Sequence, residues 1–222
     1  ETTLSQRADY EPDEQLFIAF QLFYAAKRIH QNLNLVHEAF SPSVFALTSE
    51  FVVKVALFTD CVKVEGYDSP VDHPFRPWRT SLFHVPAKYA SPEQVHGSKV
   101  TQKSDIFSVA LCVGELFQGR PLLSAADAEN YQYMEAINNA SGLPGKFEEV
   151  IKRCLSENPS ERPKAAEVLS SPAFDCLQAK VYLYLFDIEG KDPADMLRFF
   201  KGLVANANLF GERLTRKYFI PF

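Results

Sequence analysis

Arg153-Cys154-Leu155-Ser156-Glu157-Asn158-Pro159-Ser160-Glu161-Arg162-Pro163 is the stretch on which the fold turns. Asn158-Pro159-Ser160 ends an amphipathic helix over 147–156. Pro163 followed by Ala165-Ala166-Glu167-Val168-Leu169 opens another short helix. Upstream, Lys103-Ser104-Asp105 leads into Ile106 to Phe117, a helix apolar on every face and stopped by Gly119. Such a helix has no face to give to water, so it belongs at the centre of a core. Before it, residues 63–102 are loop-rich, broken by Pro70, Pro74, Pro77, Pro86 and Pro92, and include Ser91-Pro92-Glu93. A loop that long inside a compact domain is functional or descends from something functional.

Residues 1–13 are polar and lead into Pro12-Asp13, a helix start with acids in its first turn. Leu16, Phe17, Phe20, Phe23, Tyr24 and Ile29 then mark a second helix that is apolar nearly all round. Residues 33–62 change character: Leu35-Val36-His37, Val44-Phe45-Ala46-Leu47 and Phe51-Val52-Val53-Lys54-Val55 read as short strands with a hairpin. Toward the C-terminus, 127–140 reads as an amphipathic helix. Two more run over about 175–188 and 193–205, and another begins near Glu212. Helix pairs of this size suit the start of a helical solenoid.

The formal charge of -5 argues against a dedicated nucleic-acid binder, because phosphate contacts need a basic field. No apolar run approaches the ~18 residues of a membrane span. Cys61, Cys112, Cys154 and Cys176 form no CxxC pair and lie in apolar segments, which predicts reduced, buried thiols in a cytosolic protein. The chain starts at Glu1 without Met and ends on the apolar run Tyr218-Phe219-Ile220-Pro221-Phe222, so an internal fragment, with exposed aromatics at its end, is the expectation.

Taken in order, these segments resemble the C-terminal lobe of a protein kinase. Ser91-Pro92-Glu93 is similar to the motif that ends the activation segment. Ser104-Asp105-Ile106-Phe107-Ser108 is similar to the aspartate-led central helix. Cys154-Leu155 through Arg162-Pro163 is similar to the "C-L-x-x-x-P-x-x-R-P" signature. The resemblance covers roughly residues 10–174 and implies structural roles. Glu93 pairs with Arg162 in the interior. Asp105 accepts backbone N–H bonds from the catalytic-loop segment. His37 sits on that loop and packs near Phe58.

The chemical positions differ. Where kinases carry His-Arg-Asp and a later Asn, the loop reads His37-Glu38-Ala39-Phe40-Ser41-Pro42-Ser43-Val44. Ala39, at the base position, accepts no proton, and Val44, at a metal position, coordinates nothing. The usual loop Lys is Ser41. Lys54-Val55-Ala56-Leu57-Phe58-Thr59 is similar to the strand entering Asp-Phe-Gly, with Leu57 for the Asp and Thr59 for the Gly. Asp60 comes three residues late. Phosphoryl transfer is mostly positioning and charge neutralisation, and losing a general base alone costs roughly two to four powers of ten in rate. The resemblance therefore implies a pseudokinase that is not an enzyme, with no catalytic residue, cofactor or metal.

The tail narrows the resemblance. Arg198-Phe199-Phe200-Lys201-Gly202-Leu203 and Glu212-Arg213-Leu214-Thr215-Arg216-Lys217-Tyr218-Phe219-Ile220-Pro221 resemble the join of the SCY-like pseudokinases. Val36-His37 through Ser41-Pro42, and Cys61-Val62, resemble their clathrin-associated branch, from which Glu38-Ala39 and Val44 depart. The expected fold is mainly α. A kinase-like C-terminal lobe with short β hairpins spans 1–174, with the small lobe absent, and the first helices of a HEAT-type solenoid span 175–222. The left cut is expected near the hinge of a two-lobed domain and the right cut inside the repeats. The resemblance implies a cytoplasmic scaffold or adaptor in vesicle trafficking, peripheral at Golgi or endosomal membranes, with coat or adaptor subunits as partners. Two alternatives stay open. One is residual nucleotide binding or altered transferase chemistry using Asp60. The other is a pseudokinase subunit in RNA metabolism or lipid-kinase regulation.

Other constellations carry less. His73, His84 and His96 beside Asp68 and Asp72 fit no zinc spacing. Thr80, Ser81, Ser98 and Thr101 have no active site to order by phosphorylation. Phe75, Trp78 and Phe83, interleaved with Arg76 and Arg79, dock a loop or stack on a partner. Arg213, Arg216 and Lys217 read as a solvated helix face.

Overall fold

The computed structural model describes residues 2–4, 9–72, 85–96 and 99–220. Two helices form its centre. α1 (Pro12–Asn32) starts at a capping box in which Glu11 and Glu14 satisfy each other's backbone, with Pro12 in the first turn. α3 (Gln102–Gln118) starts at Thr101, whose hydroxyl accepts from the Lys103 N–H, and ends at Gly119 with φ 69°. Both are apolar nearly all round over the turns that the rest of the fold covers: Phe17, Ile18, Leu22 and Phe23 of α1 and Ile106, Phe107, Val109 and Ala110 of α3 are fully buried, while Arg28 near the end of α1 is exposed. Gly114 lets α3 approach Leu122, since a Cβ there would fall 2.2 Å from a Leu122 methyl. α6 (Phe147–Cys154) packs on α3, and α7 (Ala165–Leu169) packs on α1.

The strands are short. β3 (Phe45–Leu47) and β4 (Val53–Val55) form the hairpin, in register Phe45↔Val55 and Leu47↔Val53, and β1 (Thr2–Thr3) adds to the β3 edge. Gln21, the polar break in the apolar run of α1, is buried. Its amide donates to the Phe51 carbonyl at 2.7 Å and accepts from the Val53 N–H at 2.9 Å, tying the hairpin to the helix. β2 (Leu35–Val36) pairs with β5 (Val62–Lys63). The loop-rich region holds more order than its prolines suggested: β6 (Val71–Asp72) pairs with β7 (Lys99–Val100), and α2 (Pro92–Val95), between them in sequence, packs beside β7.

Several expectations change. The helix expected over 127–140 is two, α4 (Ala125–Glu129) and α5 (Met134–Asn139). The chain turns between them, with Tyr131 at φ 59° and Tyr133 buried against Phe107. Ala128 of α4 and Ala136 of α5 are both buried, so the apolar spacing runs on through the turn. Cys112 and Cys154 are buried, but Cys61 and Cys176 are only half-buried, and none of the four is in a disulfide. Of the apolar run at the end of the chain, Pro221 and Phe222 lie outside the described residues and Ile220 is exposed, but Tyr218 and Phe219 are covered rather than exposed. Tyr218 is buried, its ring 4.5 Å from Phe17, and Phe219 packs on Phe210 at 4.5 Å.

The tail folds back on the lobe. α8 (Leu177–Phe186) lies along α1, with Tyr182 4.7 Å from Phe17 and Phe186 5.0 Å from Tyr24. The Tyr24 hydroxyl donates to Asp187 at 2.6 Å. α9 (Pro193–Ala205) has no buried residue and is held to α8 by Phe199 stacked on Tyr184 at 3.9 Å. The chain then returns through α10 (Glu212–Leu214) to the start of α1. There Arg213 binds the carboxylate of Glu14, which is fully buried, and donates to the Asp9 carbonyl at 2.6 Å. Gly211 donates to Asp13 at 2.7 Å. Arg213 therefore corrects the reading of 213–217 as a solvated face. Arg216 stays exposed beside Glu212, and Lys217 lies 5.1 Å over the Phe51 ring.

Candidate functional site

The loop between β2 and β3 is hung from the first turn of α3. Asp105 points back over its own helix start and accepts the His37 N–H at 2.7 Å and the Glu38 N–H at 2.9 Å. It also accepts from His30 Nε2, at the end of α1, at 2.9 Å, which places the imidazole proton on that nitrogen. Three elements thus meet at one buried carboxylate. Glu38 adopts φ 62°, a left-handed conformation rare for a side chain of this kind. The Gln94 amide of α2 holds its carbonyl at 2.9 Å.

His37 is a packing residue in this geometry. Its ring stacks on Phe40 at 4.3 Å, meets Phe58 edge-on at 5.1 Å, and places Nε2 3.1 Å from the Ala56 carbonyl. Burial pushes its pKa below the ordinary range against the opposing pull of Asp105, so the ring is neutral. Ala39 and Val44 are buried. Phe40 turns inward and stacks on Phe45 at 5.3 Å, so the loop interior is hydrocarbon where chemistry would need oxygen. Val44 is tied down through its backbone, its N–H to Ser41 O and its carbonyl from Ala56 N–H, both at 3.0 Å.

Leu57 sits at φ 59° before a short turn, Phe58–Asp60, and both Leu57 and Phe58 are partly exposed. Positions 39, 44 and 57 together offer a methyl, an isopropyl and an isobutyl group. None can take a proton or bind a cation. Asp60 lies at the end of that turn. Among the described residues no group of three or more His, Cys, Asp or Glu side chains is placed to hold a metal ion.

Behind the loop lies a second polar centre. Arg162 follows the turn Pro159–Glu161 and reaches Glu93 of α2 with both terminal nitrogens, at 2.6 and 2.9 Å. Its remaining N–H groups go to the carbonyls of Ser156, Lys103 and Glu157 at 2.8, 3.1 and 3.3 Å, and its plane lies over Phe107 at 4.8 Å. Lys103 Nζ binds the Arg162 carbonyl in return. Burial drives the Glu93 pKa up, but hydrogen bonds and charge from Arg162 outweigh it and hold the carboxyl below its ordinary value.

The structure thus gathers His37, Ala39, Val44, Leu57, Phe58 and Asp105 around one loop, and Glu93 with Arg162 beneath it. Sequence reasoning missed Gln21, Gln94 and Gln102, whose buried amides bond to backbone far along the chain, Gln102 to the carbonyls of His30 and Leu35. A lone glutamine carries no spacing signal, and only a polar residue inside an apolar helix, as Gln21, hints at the role. His73, Phe75, Arg76, Trp78, Arg79, Thr80, Ser81, Phe83, His84 and Ser98 lie outside the described residues. His96 stacks on Tyr131 at 4.2 Å.

Comparison with known proteins agrees with this skeleton. The protein kinase domain profile matches residues 1–174. Tyrosine-protein kinase-like otk of Drosophila mojavensis is 26% identical over 75% of this chain and 16% of its own length. Eukaryotic translation initiation factor 2-alpha kinase 3 of Bos taurus is 28% identical over 79% of this chain and 16% of its own. SCY1-like protein 2 of Mus musculus is 23% identical over 79% of this chain and 20% of its own. The chain spans about a fifth or less of these curated relatives. With the match extending over most of its residues, the chain belongs to the protein kinase domain family.

Proposed function

We propose that this chain is a catalytically inactive kinase-like domain that serves as a scaffold or adaptor in vesicle trafficking. One observation carries the inactivity: Ala39, Val44 and Leu57 stand where the family's chemistry needs a base and two metal ligands, while the framework of Asp105, Glu93 and Arg162 around them is intact. A site worn down by lost stability would lose the framework first. Here packing is kept and only the chemical groups are removed, which supports a fold retained for its surface. Similarity to SCY1-like protein 2 of mouse and human, together with the 198–203 and 212–221 stretches, supports the trafficking role and coat or adaptor subunits as partners. None of the described helices is long and apolar enough to cross a membrane. On this reading the protein works at Golgi or endosomal membranes peripherally, through those partners.

Co-precipitation from cell extract tests the partner class. The proposal expects coat or adaptor subunits in stoichiometric amounts. Recovery of RNA-processing factors or a lipid kinase in their place contradicts it.

A further inference from the structure

The tail and the lobe enclose a cleft of about 380 Å³ that neither would form alone. One wall is α1 and the turn after α7, and the other is α8. The floor is apolar, with Phe20, Phe174 and Leu183, and Leu183 remains 40% exposed there although it lies against a cavity it could have filled. The rim is polar and cationic. Lys180 pairs with Asp175 at 3.0 Å on one side. Lys27 on the other side makes no ion pair among the described residues and lies 5.5 Å from the Tyr24 ring. An apolar floor beside an ammonium with no ion pair among the described residues selects a ligand with an apolar knob beside an oxygen anion.

We propose that this cleft binds an acidic peptide, seating one aliphatic or aromatic side chain on Phe20, Phe174 and Leu183 and a neighbouring carboxylate at Lys27. The cleft is only half enclosed, which suits one anchoring side chain of a longer chain better than a small molecule, whose sites bury most of the ligand. The chain as a whole is acidic, at -5, so a cationic rim is a local departure from its surface. The inference rests on the scaffold reading only in giving it a partner chemistry, and its test uses peptides without coat proteins, so failure here leaves that reading standing.

A phage-displayed library of short random peptides is panned on the protein, and the enriched peptides are titrated by fluorescence anisotropy against wild type, Lys27→Glu and Leu183→Asp. Enriched sequences should place an aliphatic or aromatic residue beside Asp or Glu. Each substitution should weaken binding about tenfold, the scale of losing one well-placed charge or anchor. A peptide with its acids changed to lysine should bind Lys27→Glu better than wild type. Should Leu183→Asp unfold, this charge reversal decides alone, because Lys27 is at the surface rim. Peptides lacking acids, affinities indifferent to Lys27→Glu, or no enrichment at all overturn the proposal.

Discussion

Arg162 closes on Glu93 with both arms of its guanidinium, and every N–H it carries has an oxygen partner. Both side chains are buried. Removing one partner strands the other charge, which costs about 3–5 kcal/mol, whereas replacing both by packed hydrocarbon costs far less. Urea unfolding of Glu93→Ala should show that loss, and Glu93→Leu combined with Arg162→Met should be the more stable of the two. A loss below about 1 kcal/mol for Glu93→Ala, the range of a surface pair, would mean that the pair carries no structural load.

Asp105 holds the His37–Glu38 backbone by charge-assisted bonds from two N–H groups. Asp105→Asn keeps one acceptor and puts an N–H donor against a backbone donor. Stability should fall by about 2–3 kcal/mol. Amide exchange at His37 and Glu38 should quicken beyond the global change. Uniform acceleration across the chain would show that the carboxylate does not act locally.

His37 is held neutral by burial, with its pKa below the ordinary range. Its folded pKa is depressed, so the unfolded chain binds the proton more tightly. Its effect on stability is nil above the ordinary histidine value of about 6.5 and grows unfavourable as pH falls below it. The urea midpoint of wild type should therefore drop between neutral and mildly acidic pH more than that of His37→Gln. Equal drops would place the acid sensitivity elsewhere.

Arg213 neutralises Glu14, whose carboxylate has no exposure, across nearly the full length of the chain. Because the arginine side chain is itself partly exposed, Arg213→Ala should cost about 2 kcal/mol, less than a fully buried pair. The same substitution should make 206–220 sensitive to limited proteolysis before the lobe unfolds. Resistance equal to wild type would mean that aromatic packing of Phe210 and Tyr218 alone holds the tail.

Much of this was legible in the residues. The two all-apolar helices, the start at Pro12-Asp13 and the stop at Gly119 follow from local patterns, because each depends on residues near in sequence. The polar framework of Glu93, Asp105 and Arg162 joins distant residues and was legible only through the resemblance to kinases. The break at Tyr131 was hidden, since two short helices in phase look like one. The docking of the tail was hidden for a different reason. Arg213 and Glu14 lie 199 positions apart, and nothing in either neighbourhood distinguishes a solvated arginine from one aimed at a buried acid. Phe199 and Phe200 read as one apolar pair, yet Phe199 stacks on Tyr184 while Phe200 faces outward.

The central claim is that Ala39, Val44 and Leu57 leave no site for phosphoryl chemistry. A thermal-shift titration of the protein with ATP, with and without Mg²⁺, meets it most directly. The account predicts no metal-dependent rise in melting temperature. A rise that requires Mg²⁺ and disappears in Asp60→Ala would contradict it, because a carboxylate would then be holding a metal–nucleotide complex after all.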